Sequence, residues 1–177
     1  QSVALACDDG LVRIVPPPTA ARRELLVGVT SSALAVSPDG QRAAVVRSTG
    51  QIDILSLADG ALIKTLSGHE GGATAVAFLA DSLRVATAGA DHQLKVWETE
   101  RGQATSQVAL GDLTVTVLAA LEADRLALGT SAGGVATWTV GQEAPAPLGE
   151  TPPEAGAAVG LATSPDLQTL YVARSAG

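Results

Sequence analysis

Four short strands separated by turns can be read from residues 73–110, ATAVAFLADSLRVATAGADHQLKVWETERGQATSQVAL. Apolar and β-branched runs of strand length occupy 73–80, 83–90, 93–99 and 103–110. The breaks between them are polar pairs that favour tight turns, namely Asp81-Ser82, Asp91-His92 and Arg101-Gly102. We therefore predict one twisted antiparallel sheet of four strands. Such a sheet cannot bury both faces alone, so it must stack against neighbouring sheets.

The same unit recurs along the whole chain. The positions that end its third strand lie 40, 42 and 41 residues apart, at Val15, Leu55, Trp97 and Trp138. The segment LAVSPDGQRAAVVRSTG (34–50) also aligns without a gap to LATSPDLQTLYVARSAG (161–177). A period of about 40–45 residues with four strands per repeat is typical of β-propeller blades.

Counting strands predicts an all-β propeller fold of about 17 strands, with three whole four-stranded antiparallel blades and a partial blade at each end. The expected blades are 1–29, 30–68, 69–110, 111–155 and 156–177. An open arc would expose apolar faces, so we expect further chain, or a second chain, to complete a ring of about seven blades. The sequence begins with Gln1 in a strand-like run rather than with Met, which favours a segment of a longer protein.

Two dipeptides in the third unit resemble the signature of the WD40 repeat. Gly68-His69 stands at the Gly-His position and Trp97-Glu98 at the Trp-Asp position, with 27 residues between them. The resemblance implies a buried hydrogen-bonded tetrad made of His69, Thr87, Asp91 and Trp97. The donors and acceptors suit this arrangement, because an indole N–H only donates, while a hydroxyl can accept from it and donate to an imidazole.

The other units keep the period without the full motif. Leu55 replaces the tryptophan in the second unit, Val15 replaces it in the first, and Ala132 replaces the aspartate in the fourth. The resemblance implies a fold that offers a rim of loops to partner proteins. The residues that we expect to face a partner are Arg47, Glu70, Asp112 and Arg174.

The function expected from this resemblance is a non-catalytic protein–protein interaction scaffold, with no cofactor and no metal. The alternative is an accessory propeller domain of a larger bacterial enzyme or of a cytochrome-type electron-transfer protein. The sequence contains no CxxCH haem motif, Walker loop or kinase signature. A propeller hydrolase or lactonase would need carboxylates or metal ligands that repeat with the period, and we find none in the sequence.

Composition limits the classes of partner. The net charge is −7, the reverse of the basic footprint of nucleic-acid binders, so no nucleic-acid partner is expected. Charged or turn-forming residues interrupt every apolar run before the roughly 18 residues of a membrane span, so a soluble protein is expected. Cys7 is the single cysteine, which excludes an intrachain disulfide and leaves a cytoplasmic or a periplasmic location open.

Two local patterns could be mistaken for catalytic or metal sites. GTSAG at 129–133 matches a G-x-S-x-G nucleophile elbow, but a strand-like run follows where the elbow requires a helix. We therefore interpret it as a turn between strands. His69 beside Glu70 and His92 beside Asp91 supply too few ligands for a metal site.

Three further features are read as structural. Cys7 is equivalent to Gly89 in the repeat and is expected to be a small core residue rather than a reactive thiol. The proline-rich segments 16–18 and 142–153 are interpreted as extended connections before a fourth strand, with a recognition ligand as the alternative. Asp8-Asp9, Asp39 and Asp166 do not form an EF-hand calcium loop, and the last two belong to Ser-Pro-Asp turns.

Overall fold

The fold is described from a computed structural model, which covers residues 3–6, 11–15, 23–26, 31–122, 124–149, 156–163 and 169–175. The interpretations of Cys7, of the aspartates at 8, 9 and 166, and of the prolines at 16–18 lie outside these described residues. All regular structure within the described residues is β-strand. The prediction of an all-β fold built from four-stranded antiparallel sheets is therefore confirmed. None of the described residues forms a helix that is long and apolar enough to cross a membrane.

Seventeen strands lie within the described residues. Their bounds are β1 Val3–Ala6, β2 Leu11–Val15, β3 Arg23–Leu26, β4 Ser31–Val36, β5 Arg42–Arg47, β6 Ile52–Ser56, β7 Leu62–Leu66, β8 Ala73–Phe78, β9 Arg84–Gly89, β10 Gln93–Glu98, β11 Ala104–Ala109, β12 Val115–Ala120, β13 Arg125–Thr130, β14 Val135–Thr139, β15 Ala146–Pro147, β16 Ala158–Thr163 and β17 Leu170–Arg174. They form five sheets in chain order, β1–β3, β4–β7, β8–β11, β12–β15 and β16–β17. Within each sheet, strands that are consecutive in sequence are neighbours in space.

The sheets stack through their first strands. β1 lies against β4, β4 against β8, β8 against β12, and β12 against β16. This row of first strands corresponds to the inner strands of a propeller, and it does not close on itself among the described strands. The arrangement is that of a partial β-propeller, as the strand count predicts, and we refer to the sheets below as blades.

A β-bulge marks the inner strand of each of the four later blades. The register between the first and second strands shifts at Ser31/Ala33, Ala73/Ala75, Val115/Val117 and Ala158/Gly160. At two of these bulges the extra residue is a threonine that bonds to the next blade. Thr74 donates to the carbonyl of Val115 at 3.1 Å, and Thr116 donates to the carbonyl of Ala158 at 2.5 Å. A bulge re-aims a side chain, so here it turns a hydroxyl towards the neighbouring inner strand.

Apolar side chains fill the space between successive blades. Trp97 belongs to the cluster between the second and third blades, and Trp138 to the cluster between the third and fourth. Trp138 is completely buried and Trp97 nearly so. Alanines on the middle strands, such as Ala44 and Ala86, let the sheets approach closely around these two rings. Each tryptophan therefore ties its own blade to the preceding one.

The fourth strand of the fourth blade differs from the sequence-based expectation. The proline-rich segment 142–153 was expected to be a connection before that strand, but Ala146–Pro147 is itself the strand β15. It pairs with Ala136 and Thr137 of β14 over only two positions. Proline lacks a backbone N–H and can stand only at a sheet edge, which is where β15 lies.

Two ends of the sheets are distinguished below. The loop end carries 48–51, 67–72, 90–92, 110–114 and 131–134, which join one blade to the next or connect second to third strands. The turn end carries 37–41, 57–61, 79–83, 99–103, 121–122, 124 and 140–145, together with the strand residues beside them. Arginines that begin second strands link neighbouring blades at the turn end. Arg42 donates to Glu100 at 2.9 Å, and Arg84 forms an ion pair with Asp124.

Candidate functional site

The structure brings His69, Thr87, Asp91 and Trp97 together near the loop end of the third blade. The indole Nε1 of Trp97 donates to Oγ1 of Thr87 at 2.8 Å. Nε2 of His69 lies 2.8 Å from the same hydroxyl, and its Nδ1 lies 2.8 Å from Oδ1 of Asp91. One proton arrangement satisfies every group: Thr87 donates to Nε2, and His69 carries its proton on Nδ1 and donates it to Asp91.

Three elements supply these side chains, so the network joins segments that are far apart in sequence. Thr87 and Trp97 are on the paired strands β9 and β10, where Trp97 faces Val85 and Thr87 faces Lys95. His69 comes from the loop before β8, and Asp91 from the turn between β9 and β10. The network therefore fastens the loop and the turn to the sheet.

Two glycines make room for the network. A Cβ on Gly68 would lie 2.8 Å from Cη2 of Trp97. A Cβ on Gly89 would lie 2.6 Å from Oδ1 of Asp91 and would also overlap the His69 ring. Both distances are too short for a side chain, so close packing explains the glycine at each position. For Gly68, it gives the Gly-His dipeptide a physical basis.

Lys95 is a further member of the network that the sequence reading missed. Its Nζ lies 3.2 Å from Oδ2 of Asp91 and also donates to the carbonyl of Gly68. The sequence signal that could have indicated Lys95 is its position four residues after Asp91, across a tight turn. That spacing alone does not predict which way either side chain points, whereas the strand pairing in the structure does.

The environment favours neutral histidine and ionised aspartate. Burial lowers the pKa of His69, and the positive charge of Lys95 acts in the same direction, while Asp91 only partly opposes them. Burial opposes ionisation of Asp91, but the hydrogen bonds and charges of His69 and Lys95 outweigh it, so the pKa of Asp91 is lowered. We call this network of His69, Thr87, Asp91, Trp97 and Lys95 the third-blade lock. Each of its polar groups has a hydrogen-bond partner.

The second blade has a different polar network near its loop end. Asp53 is almost fully buried, and its Oδ2 accepts from Nε of Arg47 at 2.5 Å. Its Oδ1 accepts from Thr65 at 2.7 Å. In the repeat, Arg47 takes the position of Gly89 and Val45 that of Thr87. Where the tetrad residues are missing, an arginine–aspartate pair thus ties second, third and fourth strands together.

The four candidate partner-facing residues all lie at the loop end, in different settings. Glu70 and Asp112 are exposed, and neither forms an ion pair within the part of the chain that the structure describes. Arg174 is exposed but donates from Nε to the carbonyl of Gly133 at 3.2 Å. Arg47 is held by Asp53, which leaves it less available to a partner than Glu70 or Asp112.

The other patterns singled out in the sequence also have defined places. GTSAG at 129–133 runs from the end of β13 into a turn that leads directly to β14, a strand. Thr130 and Gly133 close this turn through a backbone hydrogen bond of 3.0 Å. A strand–turn–strand lacks the helix that a nucleophile elbow requires. Among the described residues, no three His, Cys, Asp or Glu side chains cluster as metal ligands.

Two comparisons with known proteins bear on identity. Residues 60–98 match the family model described as WD domain, G-beta repeat. The match runs from β7 of the second blade to β10 of the third, so the sequence repeat is offset by one strand from the blade. WD repeat-containing protein 1 of Xenopus tropicalis is 35% identical over 78 residues, which is 42% of this chain and 13% of the relative. The matched segment is therefore a small part of the length of that relative. With blades built of four antiparallel strands and the Gly-His and Trp-Glu dipeptides at the ends of one buried network, the segment 60–98 is similar to a WD40 repeat.

Proposed function

We propose that this chain is a non-catalytic scaffold that binds other proteins through the loop end of its blades. WD40 repeats typically act in protein–protein interaction, and the matched relative is itself a WD repeat protein. The observation that carries the proposal is a continuous loop-end surface, in which successive loops from 67–72 to 131–134 are joined by backbone hydrogen bonds.

The continuity can be followed from contact to contact. Ala90 donates to the carbonyl of Gly72 at 3.0 Å, which joins the turn of the third blade to the loop that precedes it. Leu110 donates to the carbonyl of His92 at 2.8 Å. Ser131 then donates to the carbonyl of Thr114 at 2.9 Å, which carries the surface into the fourth blade.

A surface held in this way is suited to binding a protein partner. Its loops are already ordered by backbone hydrogen bonds, so less conformational entropy is lost on association than with free loops. Glu70, Asp112 and Arg174 give it mixed charge, and Leu113 adds a partly exposed apolar side chain. The third-blade lock stabilises this surface, because the hydrogen bond between His69 and Asp91 joins two of the surface loops.

We also propose that 1–29, 30–68, 69–110, 111–155 and 156–177 act as successive blades of a larger ring. Further strands, from this protein or from another chain, would complete it. No contact or motif among the described residues favours the alternative of an accessory domain of an enzyme.

The proposal is tested by site-specific photo-cross-linking in the native cells. A photoreactive phenylalanine analogue replaces Glu70, Asp112 or, as a matched exposed control on the outer strand β11, Gln107. We expect the two loop-end positions to give the same discrete cross-linked protein, and the control to give none. Equal cross-linking from Gln107, or no protein adduct from either loop-end position, contradicts the proposal.

A further inference from the structure

The turn end of the third blade carries a groove that neither the tetrad nor the loop-end surface uses. Its volume is about 370 Å³, and it is lined by Asp81, Leu83, Arg84, Glu98, Glu100 and Arg101. All six residues come from the β8–β9 and β10–β11 turns or the strand residues beside them. The groove therefore lies across one end of a single blade, on the side of the molecule opposite the proposed partner-binding loops.

Leu83 is an apolar residue displayed at this groove. It is 54% exposed, whereas the residues at the equivalent repeat positions are the polar Gln41 and Asp124. Its backbone is tied on both sides, because its N–H donates to Asp81 at 2.9 Å and its carbonyl accepts from the backbone N–H of Thr99 at 3.0 Å. The exposed leucine is thus held in place by the sheet.

The left-handed backbone of the preceding residue also has a structural explanation. Ser82 has a φ of 62°, a conformation uncommon outside glycine, and Gly40 with a φ of 70° stands at the equivalent position. The Ser82 hydroxyl accepts from the backbone N–H of Asp39 at 3.1 Å, and its carbonyl accepts from Arg42 at 3.2 Å. These bonds fasten the Leu83 turn to the second blade.

The charge around Leu83 indicates the chemistry of its partner. In the second to fourth blades, the described residues of the turn end include eight carboxylates, four guanidinium groups and the side chain of Lys64, which lies beside Gly102. The acids are Asp39, Asp59, Asp81, Glu98, Glu100, Glu122, Asp124 and Glu143, and the bases are Arg42, Lys64, Arg84, Arg101 and Arg125. Arg42, Arg84 and Arg101 form ion pairs with Glu100, Asp81, Asp124 and Glu98, which leaves four carboxylates without an ion pair among the described residues, at Asp39, Asp59, Glu122 and Glu143. The excess negative charge favours a cationic partner.

We propose that this groove is a second docking surface, which takes a basic segment of a partner protein with an apolar side chain packed on Leu83. The excess carboxylates of the turn end attract the lysines or arginines of that segment. Leu83 supplies the apolar contact, since an apolar centre with a polar rim is the usual anatomy of an interface. This docking surface is independent of the loop end, so either proposal can fail alone.

The test measures binding of defined peptides to the chain by fluorescence anisotropy. The probe is a labelled nonapeptide with a central leucine, two lysines on each side, and glycine elsewhere. Comparison peptides replace the lysines by glutamates or the leucine by serine. We expect the lysine–leucine peptide to bind, with affinity that falls as NaCl rises, and the comparison peptides to bind at least about tenfold more weakly.

Two matched variants separate the groove from non-specific charge. Leu83→Gln, which installs the residue found at the second-blade position, should weaken binding about tenfold. Arg101→Gln removes a competing cation and should strengthen binding about two- to fivefold. Leu148→Gln, at an exposed leucine of the fourth blade that does not line the groove, should leave it unchanged. Equal binding of the lysine and glutamate peptides, or unchanged affinity in Leu83→Gln, overturns the proposal. So does Leu83-dependent self-association in sedimentation, because the occupant would then be a second copy.

Discussion

The hydroxyl of Thr87 joins Trp97 to His69 in the third-blade lock, and removing it tests how much that lock stabilises the fold. Thr87 is completely buried, and its Oγ1 lies 2.8 Å from both Trp97 Nε1 and His69 Nε2. Thr87→Val removes the hydroxyl with little change of shape, and valine already stands at the equivalent Val45 in the second blade. The variant therefore isolates the hydrogen bonds from the packing.

The cost follows from the groups left without partners. The indole N–H loses its acceptor inside the core, and an unsatisfied buried donor costs about 1–3 kcal/mol. His69 Nε2 loses its donor as well, so we expect the free energy of unfolding to fall by about 2–3 kcal/mol in total. For a chain of this size, the melting temperature should fall by about 4–12 °C. Thr87→Ser keeps the hydroxyl and loses one methyl group, at a cost of about 1 kcal/mol.

Two measurements check this expectation. Urea denaturation gives the free energy of unfolding for the wild type, Thr87→Val and Thr87→Ser. Proton NMR gives the two indole N–H resonances, of which Trp138 is an internal reference because it donates to the carbonyl of Gln142 at 3.0 Å. We expect the Trp97 resonance alone to shift in Thr87→Val. If the valine and serine variants are equally stable and the resonance does not move, the lock does not stabilise the blade as argued.

Further predictions concern the same two blades. Folding lowers the pKa of His69. At pH values between this lowered pKa and the usual histidine pKa of about 6.5, the unfolded chain therefore binds more protons than the folded chain. The free energy of unfolding should therefore fall as the pH is lowered from about 7 to 5. His69→Gln should lose this slope in urea titrations at each pH. Gly89→Ala forces a methyl group into the lock and should cost about 1–3 kcal/mol, whereas Gly160→Ala, with its nearest contact at 3.4 Å, should be nearly neutral in the same assay. Asp53→Asn removes the charge from a buried ion pair and should cost about 1–3 kcal/mol, measured by thermal unfolding. An unchanged melting temperature there contradicts the role given to that pair.

Local patterns in the sequence were sufficient to predict the architecture. Strand length, turn residues such as Arg101-Gly102 and the period of about 41 residues are properties of neighbouring positions and of repetition, so they can be read without coordinates. The same holds for the tetrad residues, whose types and spacings follow the resemblance to the WD40 repeat. The tight β9–β10 turn places Asp91 close to the strands that carry Thr87 and Trp97.

Contacts between residues about 40 positions apart required the tertiary structure. Nothing in the local sequence predicts that Arg84 meets Asp124, or that the Thr74 hydroxyl reaches the next inner strand, because these contacts depend on how the blades stack. The ion pair between Arg47 and Asp53 likewise depends on how the two side chains are oriented across neighbouring strands.

Sequence alone therefore established an all-β repeat with one complete WD40 motif. The physical reason is that backbone propensity, turn chemistry and apolar periodicity act over a few residues. Only the tertiary structure decided which polar groups remain exposed once blades pack together. It left Glu70 and Asp112 exposed at one end, held Arg47 in an internal pair, and displayed Leu83 at the other end. Exposure is a property of the packed neighbours, which no single repeat contains.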